Sequence, residues 1–197
     1  MEDADAAHDP AHLKRVVATA RRLADEEDAR LDVVVPAAWL HDCVVIPKDD
    51  SRRRAASTLA AERAGAFLTE EEYPRDRIPP IQHAIAAHSY SGPVSPETVE
   101  AEVVQDADRL DALGAIGIAR CFTVSGALDH ALYDPADPFC ETRPPDDDTY
   151  ALDHFFTKLL QLPETMQTEA GRIEAERRAE FMRSYLDTLR DELGASP

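Results

Sequence analysis

The sequence predicts an all-α protein, built as a helical bundle around a buried polar site, and three observations support this prediction. Apolar residues recur at three- and four-residue spacing, the period of an amphipathic helix. Proline-containing segments separate these stretches, whereas alternating strand patterns and NG or DG hairpin dipeptides are absent. The length of 197 residues fits one domain, with a core at about 8–122 and C-terminal helices at 149–194 packed on it.

The first two predicted helices differ in the width of their apolar surface. Residues 11–29 have a single apolar stripe, and Asp9 and Pro10 before them supply an N-cap and a first-turn proline. The second helix, from about Pro36 to Val45, is apolar on nearly all sides, which is typical of a central buried helix. Five further helices and one long Pro- and Asp-rich loop follow, with helices at 55–71, about 78–88, 98–121, about 149–162 and 165–193 and the loop at 123–148.

The charge composition narrows the range of partners. The formal net charge of −18 at pH 7 disfavours binding to a nucleic-acid backbone or to an anionic membrane. No uncharged apolar stretch is long enough to predict a membrane-spanning helix. The acidic N-terminus lacks the apolar segment of a secretory signal, and the three cysteines are widely spaced, so we expect a cytoplasmic protein.

Lysine is rare in this chain. Only Lys14, Lys48 and Lys158 occur, and the other residues of the Lys and Arg total are arginine. An acidic, lysine-poor surface fits adaptation to high salt, where screening reduces self-repulsion. A GC-rich genome explains the same composition, and both interpretations stay open.

The pair His41-Asp42 is the first candidate site. It directly follows the apolar segment AAWL, inside the predicted second helix. Burying a carboxylate without a partner is costly, so Asp42 needs a hydrogen-bonding group or a cation. An imidazole and a carboxylate on adjacent residues can converge on one metal ion, but backbone hydrogen bonds at a helix end are the alternative. Cys43, which comes next, is expected to pack as a small apolar side chain.

The acidic segment QDADRLDA is the second candidate. Asp106, Asp108 and Asp111 lie close together on an otherwise apolar predicted helix. Such a concentration of buried carboxylates favours a bound cation. A salt-bridge network with Arg109 is the alternative.

The third candidate is His12, in the first turn of the first predicted helix. A single histidine there is more often a cap or a surface residue, so His12 indicates a metal site only in combination with the other two candidates. The ordered set H…HD…D, here HLKRV, WLHDC and DADRLDA, resembles the signature of the HD superfamily of metal-dependent phosphohydrolases. The resemblance implies an HD-domain helical bundle with a buried metal site.

The resemblance is greatest to the stand-alone bacterial and archaeal HD hydrolases of this length. It extends through PKDDSRRRAAS, AIAAHSYSG, QDADRLDALGAIGIAR, DPF and DHFFTKLLQL. The Glu-Asp pair that follows HD in ppGpp hydrolases and the GYP motif of cyclic-di-GMP phosphodiesterases are both missing, so neither activity is expected. Near Lys48 the subfamily usually has Asn and Pro, where this chain has Asp49 and Ser51.

The resemblance also implies which residues bind the metal. Across the superfamily the last acidic ligand is the Asp of an A-D-x-L pattern, which selects Asp108, so the implied ligands are His12, His41, Asp42 and Asp108. This mixed nitrogen and oxygen set predicts a divalent ion, Mn, Fe, Co, Ni, Mg or Zn. Asp111, expected one helical turn after Asp108, is assigned a catalytic role in positioning water.

Basic residues and histidines are candidates for contacting the substrate. Lys48 and Arg53, in the loop after the HD pair, are expected to bind phosphate groups, with a solvated surface loop as the alternative. By resemblance, His88 in AIAAHS is assigned a catalytic role, because related proteins place a phosphate-contacting or second-metal histidine there. His83 and Lys158 complete the expected substrate-binding residues.

The motifs and the resemblance together predict a metal-dependent phosphohydrolase acting on a nucleotide or another small phosphate ester. Nucleoside triphosphate pyrophosphohydrolysis is the specific expectation. The expected partner is thus a small-molecule phosphate, with no nucleic acid and no membrane, and a homodimer stays open. A non-catalytic nucleotide-binding HD protein and a di-iron HD oxygenase are the alternatives.

Overall fold

The computed structural model describes residues 10–46, 50, 52, 55–89 and 92–194, and these residues form helices and no β-strand. A 3-10 helix, Leu159–Thr165, follows the seventh α-helix, and one isolated bridge pairs Ala131 with Tyr150. The predicted all-α class is confirmed. The eight α-helices within the described ranges are α1 (Pro10–Glu26), α2 (Leu31–Leu40), α3 (Ala56–Glu70), α4 (Ile78–Ala87), α5 (Val99–Leu110), α6 (Gly114–Ala127), α7 (Asp153–Thr157) and α8 (Glu169–Glu192).

The described residues form two compact units. The first unit contains α1 to α5 together with Gln167–Gly171, and the second unit contains Asp111–Met166 and the chain from Arg172 onward. In the first unit, α2 packs against α1, α4 and α5, and α3 packs mainly against α4. This central position of α2 agrees with its nearly continuous apolar surface.

The amphipathic pattern of the first predicted helix produces α1. The helix ends at Glu26, before the predicted end at residue 29, and the predicted N-cap Asp9 lies outside the described residues. The face of α1 that points into the unit consists of apolar side chains and one histidine: His12, Val16, Val17, Ala20, Leu23 and Ala24.

Helix α2 begins at Leu31, so the predicted start at Pro36 is wrong. Pro36 lies inside the helix, where it has no N–H to donate to the carbonyl of Asp32. The hydroxyl of Tyr73 donates to that carbonyl instead, at 2.7 Å, and satisfies the acceptor that proline leaves open. Because the helix ends at Leu40, the HD pair follows the helix rather than lying inside it.

The predicted continuous fifth helix over 98–121 is wrong. The chain leaves the helical conformation after Leu110, and a new helix begins at Gly114. Leu113 is extended, with φ −116° and ψ 163°, and Gly114 has φ +70°, a conformation that glycine adopts without steric cost. No single helix in the described part of the chain is long and apolar enough to span a membrane, although α5 and α6 taken together have the necessary length and composition.

The predicted helix over 149–162 is also wrong. Only the five residues of α7 are α-helical there; residues 149–152 form turns and a bridge, and a 3-10 helix that contains Pro163 begins at Leu159. The loop before α7 is organised by the buried carboxylate of Asp153. It accepts hydrogen bonds from Arg143 Nη2 at 2.9 Å and from the backbone N–H of Asp146 at 2.7 Å. These side-chain bonds hold a loop that has little regular structure of its own.

Candidate metal centre

Five polar side chains converge in the first unit. His12 lies on α1, and Asp108 lies near the end of α5. His41 and His88 are the C-cap residues of α2 and α4, and Asp42 follows His41. Since α2 packs against each of the other three helices, the centre lies where these four helices meet.

The distances among these side chains suit ligands of a single ion. His12 Nε2 lies 3.8 Å from Asp42 Oδ2 and 3.5 Å from Asp108 Oδ1. His41 Nε2 lies 3.5 Å and 3.7 Å from the same two oxygens. Ligand atoms bound about 2.1 Å from one ion are roughly 3 to 3.5 Å apart, so small shifts would complete such a shell. His12, His41 and Asp42, and likewise His41, His88 and Asp108, form groups able to hold a metal.

Two of the histidines are oriented by the ends of their own helices. His41 Nδ1 lies 2.9 Å from the carbonyl oxygen of Ala38, and His88 Nδ1 lies 2.6 Å from that of Ile85. A carbonyl oxygen only accepts hydrogen bonds, so each Nδ1 must carry the proton. In both neutral rings Nε2 is therefore the unprotonated nitrogen, the form needed for a metal ligand.

The Nε2 atom of His41 is buried and has no hydrogen-bond partner among the described residues. A buried polar atom in this state costs about 1–3 kcal/mol unless something binds it. Burial alone lowers the pKa of His41, but the carboxylate of Asp108 and the charge of Asp42 raise it to about 9. The negative field that attracts a proton to this nitrogen also attracts a cation.

The neighbouring histidines also shift the pKa of the Asp108 carboxylate, in the opposite direction to that of His41. Burial acts to raise its pKa, but His41 and His88 lower the pKa well below its usual range, while the charge of Asp42 opposes them. Asp108 is therefore ionised at neutral pH. Two close carboxylates surrounded by three imidazoles form a donor set that fits a divalent cation.

The sequence model of the family described as "HD domain" matches residues 11–113, which is more than half of the chain. This range contains all five converging side chains. The chain belongs to the HD domain family.

Relatives of this HD protein match nearly its whole length. "Uncharacterized protein YpgQ" of Bacillus subtilis (strain 168) is 33% identical over 197 residues, covering 98% of this chain and 88% of YpgQ. The crystal structure of YpgQ in complex with ADP has a TM-score of 0.75 and 35% identity, over 95% of this chain and 88% of that one. An HD-superfamily hydrolase from Bacillus thuringiensis has a TM-score of 0.75 and 33% identity, over 99% and 90%. The fold supports a metal-dependent phosphohydrolase in general.

Asp106, two residues before Asp108, has a different environment. Its buried carboxylate accepts hydrogen bonds from the backbone N–H groups of Gln167 and Thr168, at 2.9 and 2.8 Å, and from the Thr168 hydroxyl at 2.8 Å. Asp106 therefore caps the start of α8. Of these two carboxylates, only Asp108 lies within 4 Å of a histidine of the centre.

Asp111 lies beyond the end of α5, so the prediction that it follows Asp108 by one helical turn is wrong. Its buried carboxylate accepts a hydrogen bond from Arg120 Nη1 at 2.6 Å. Asp111 thus forms a salt bridge with Arg120, whereas the alternative considered for the acidic segment was a network with Arg109. Asp111 belongs to the second unit, and its catalytic role stays a prediction.

The predicted substrate-binding residues are distributed over several parts of the chain. Lys48 and Arg53 lie outside the described residues. His83, on α4, accepts the backbone N–H of Glu97 at its Nε2 atom, at 3.0 Å, and so holds the segment before α5. Lys158 is exposed and lies in the second unit, between α7 and the 3-10 helix. Contact between these four residues and a substrate stays a prediction.

Gln105 is a residue that the sequence analysis did not single out. It is 3% exposed, and its Nε2 atom donates to the carbonyl oxygen of Ala87 at 2.5 Å. Ala87 directly precedes His88, so this bond ties the end of α4 to the helix that carries Asp108. A polar residue one helical turn before Asp108 on a buried helix face was the signal that could have indicated this role.

Proposed function

We propose that this HD protein is a phosphohydrolase that binds one divalent ion with His12, His41, Asp42 and Asp108. The observation that carries the proposal is the approach of two imidazole Nε2 atoms to two carboxylates, at 3.5–3.8 Å. The buried Nε2 of His41, which lacks a hydrogen-bond partner among the described residues, supports it independently. Two imidazole ligands favour Mn, Fe, Co, Ni or Zn over Mg, which prefers oxygen ligands.

A single ion explains the two overlapping metal-binding groups better than two ions do. Both groups contain His41, whose Nδ1 atom is already bonded to Ala38. His41 therefore has one nitrogen to offer, and that nitrogen ligates one ion. A divalent ion held there supplies Lewis-acid polarisation of a phosphoryl oxygen and lowers the pKa of a water molecule.

His88 is proposed to act on the substrate rather than as a structural residue. Its Nε2 lies 3.6 Å from Asp42 Oδ1, and the residue is 7% exposed. Because Nδ1 donates to Ile85, only Nε2 can gain or lose a proton toward the centre. This geometry suits hydrogen bonding to a phosphoryl oxygen or protonation of the leaving oxygen.

A nucleotide is the proposed substrate, and a nucleoside triphosphate cleaved to a monophosphate and pyrophosphate is the specific reaction. A relative with 35% identity was crystallised with ADP. In addition, Lys48 and Arg53 follow the HD pair in a chain whose net charge is −18, a local excess of cations that suits polyphosphates.

The test is a nucleotide panel assayed with Mn, Mg, Ni or Co, with products separated by anion-exchange chromatography. We expect monophosphate and pyrophosphate from the wild type, and a loss of at least about 100-fold in Asp108→Ala. Glu62→Ala, which removes an exposed carboxylate on α3, is the matched control and should retain activity. Tight nucleotide binding without turnover would favour a non-catalytic binding protein, and two irons per chain with an optical change in oxygen would favour an oxygenase.

A further inference from the structure

The N-terminal turn of α3 lies beside the chain segment that carries Asp42. The Sγ atom of Cys43, the next residue after Asp42, donates to the carbonyl oxygen of Ala60 at 3.4 Å. Ala60 belongs to the second turn of α3. One side of α3, near its start, is thus held against the residue that follows the HD pair.

The same turn also lies beside the segment that follows His88. A Cβ atom placed on Gly92 would lie 3.4 Å from Ser57 Oγ and 3.1 Å from the Cβ of Ser89. Ser89 directly follows His88, and the backbone N–H of Gly92 donates to the carbonyl of Ser89 at 3.2 Å. The start of α3 is therefore flanked by the two segments that carry Asp42 and His88.

Ser57, in the first turn of α3, has a hydroxyl group with no hydrogen-bond partner in the part of the chain that the structure describes. The residue is 4% exposed, and its Oγ atom is buried. Buried hydroxyl groups are normally bonded, because losing water without a replacement is unfavourable. The unmet hydrogen bond of this hydroxyl, which lies near Gly92, points to a ligand that supplies it.

The helix start has backbone N–H donors and no acidic side chain in its own first turn. The N-cap residue is Ala55, whose methyl group cannot accept a hydrogen bond from the first backbone N–H groups. Residues 56–59 include no acidic side chain. A helix of 15 residues has a partial positive charge at this end, so an anion is the ligand that matches both the N–H groups and the hydroxyl.

We propose that the first turn of α3, together with Ser57 Oγ, binds a phosphate group of the substrate that is not the one attacked. This phosphate subsite rests on the proposed function, because its position beside the segments that carry Asp42 and His88 makes it useful for a polyphosphate held at the metal centre. Occupying the ion and the helix start together requires a substrate with at least two phosphates. The subsite thereby selects di- and triphosphates over monophosphate esters.

The test measures the affinity of inorganic tripolyphosphate for the metal-loaded, full-length protein by isothermal titration calorimetry. Ser57→Ala removes the hydroxyl, and Gly92→Ala places a methyl group against it. We expect each variant to weaken tripolyphosphate binding about ten-fold, the loss of one hydrogen bond to a charged group, with unchanged metal content. For a turned-over triphosphate KM should rise about ten-fold, while KM for a phosphomonoester stays constant.

Thr69→Val is the matched control. It removes a hydroxyl from the other end of α3, where Thr69 Oγ1 donates to the Gly65 carbonyl at 2.7 Å, and it should leave tripolyphosphate affinity unchanged. Wild-type affinity in both Ser57→Ala and Gly92→Ala would overturn the phosphate subsite even if nucleotides are hydrolysed. Conversely, Ser57-dependent binding of tripolyphosphate without any turnover would support the subsite and overturn the proposed function.

Discussion

Asp106 and Asp108 lie two residues apart on α5, yet their replacement should have opposite consequences. Asp106 accepts hydrogen bonds from Gln167 and Thr168 at the start of α8. Asp108 faces His12 and His41. Asp106→Ala should therefore lower thermal stability while leaving metal binding in the folded protein nearly intact. Asp108→Ala should abolish metal binding while leaving the metal-free fold almost unchanged.

The magnitudes follow from the contacts. Asp106→Ala removes three hydrogen bonds to a buried carboxylate, each worth about 1.5–3 kcal/mol, but the freed donors regain some bonding to water, so we expect a loss of about 3–5 kcal/mol. For a chain of this size each kcal/mol lowers Tm by about 2–4 °C, which predicts a decrease of roughly 10 °C. Asp108→Ala removes the burial cost of the carboxylate and the repulsion by Asp42, which offset part of the lost attraction to His41 and His88, so the metal-free Tm should change by less than about 4 °C.

The assay combines calorimetry of the chelated proteins with metal analysis after reconstitution and removal of unbound ions. Glu62→Ala serves as the control, because it removes an exposed carboxylate from the same unit. The reasoning fails if Asp106→Ala loses metal binding and also keeps the Tm of the wild type. It also fails if Asp108→Ala retains one metal per chain.

Three further perturbations test other parts of the structure. Tyr73→Phe removes the hydroxyl that donates to the Asp32 carbonyl, so it should lower the free energy of unfolding, measured in urea, by about 1 kcal/mol. The hydrogen bonds from Arg177, with the neighbouring Arg178, outweigh burial and hold the pKa of Glu174 at about 2, below its usual 4.5. This stabilisation is complete above pH 4.5 and is lost as pH falls toward 2. Glu174→Gln should therefore lower the free energy of unfolding by about 1 kcal/mol at pH 7 and leave it unchanged near pH 2. Finally, KCl should raise Tm, because it screens the repulsion of a chain with net charge −18.

Each of these expectations has a control or a result that would contradict it. Glu164→Gln changes an exposed glutamate and should show no pH-dependent difference from the wild type. Sucrose at the osmolality of the salt separates charge screening from general solute effects, and an equal rise of Tm in sucrose would contradict the screening explanation. An unchanged urea midpoint in Tyr73→Phe would show that the hydrogen bond from the Tyr73 hydroxyl to the Asp32 carbonyl does not stabilise the fold.

The sequence by itself determined the helical class, the approximate positions of α1, α3, α4 and α8, and the residue types that converge in the first unit. The reason is local, since the 3.6-residue period shows which face of each helix is buried. His12 is a polar residue on the buried face of α1, and Asp42 follows the most apolar helix. Polar groups in such positions need partners, and this requirement can be read without knowing the fold.

Only the tertiary structure decided which partner each group meets. Tyr73 bonds the carbonyl of Asp32 from 41 residues away, and this contact accompanies an α2 that begins before Pro36. Thr168 bonds Asp106 from 62 residues away, which separates the role of this carboxylate from that of Asp108. The spacing of residues along α5 cannot distinguish the role of Asp106 from that of Asp108. Helix geometry shows which face each side chain occupies, but it contains no information about the segment that packs on that face.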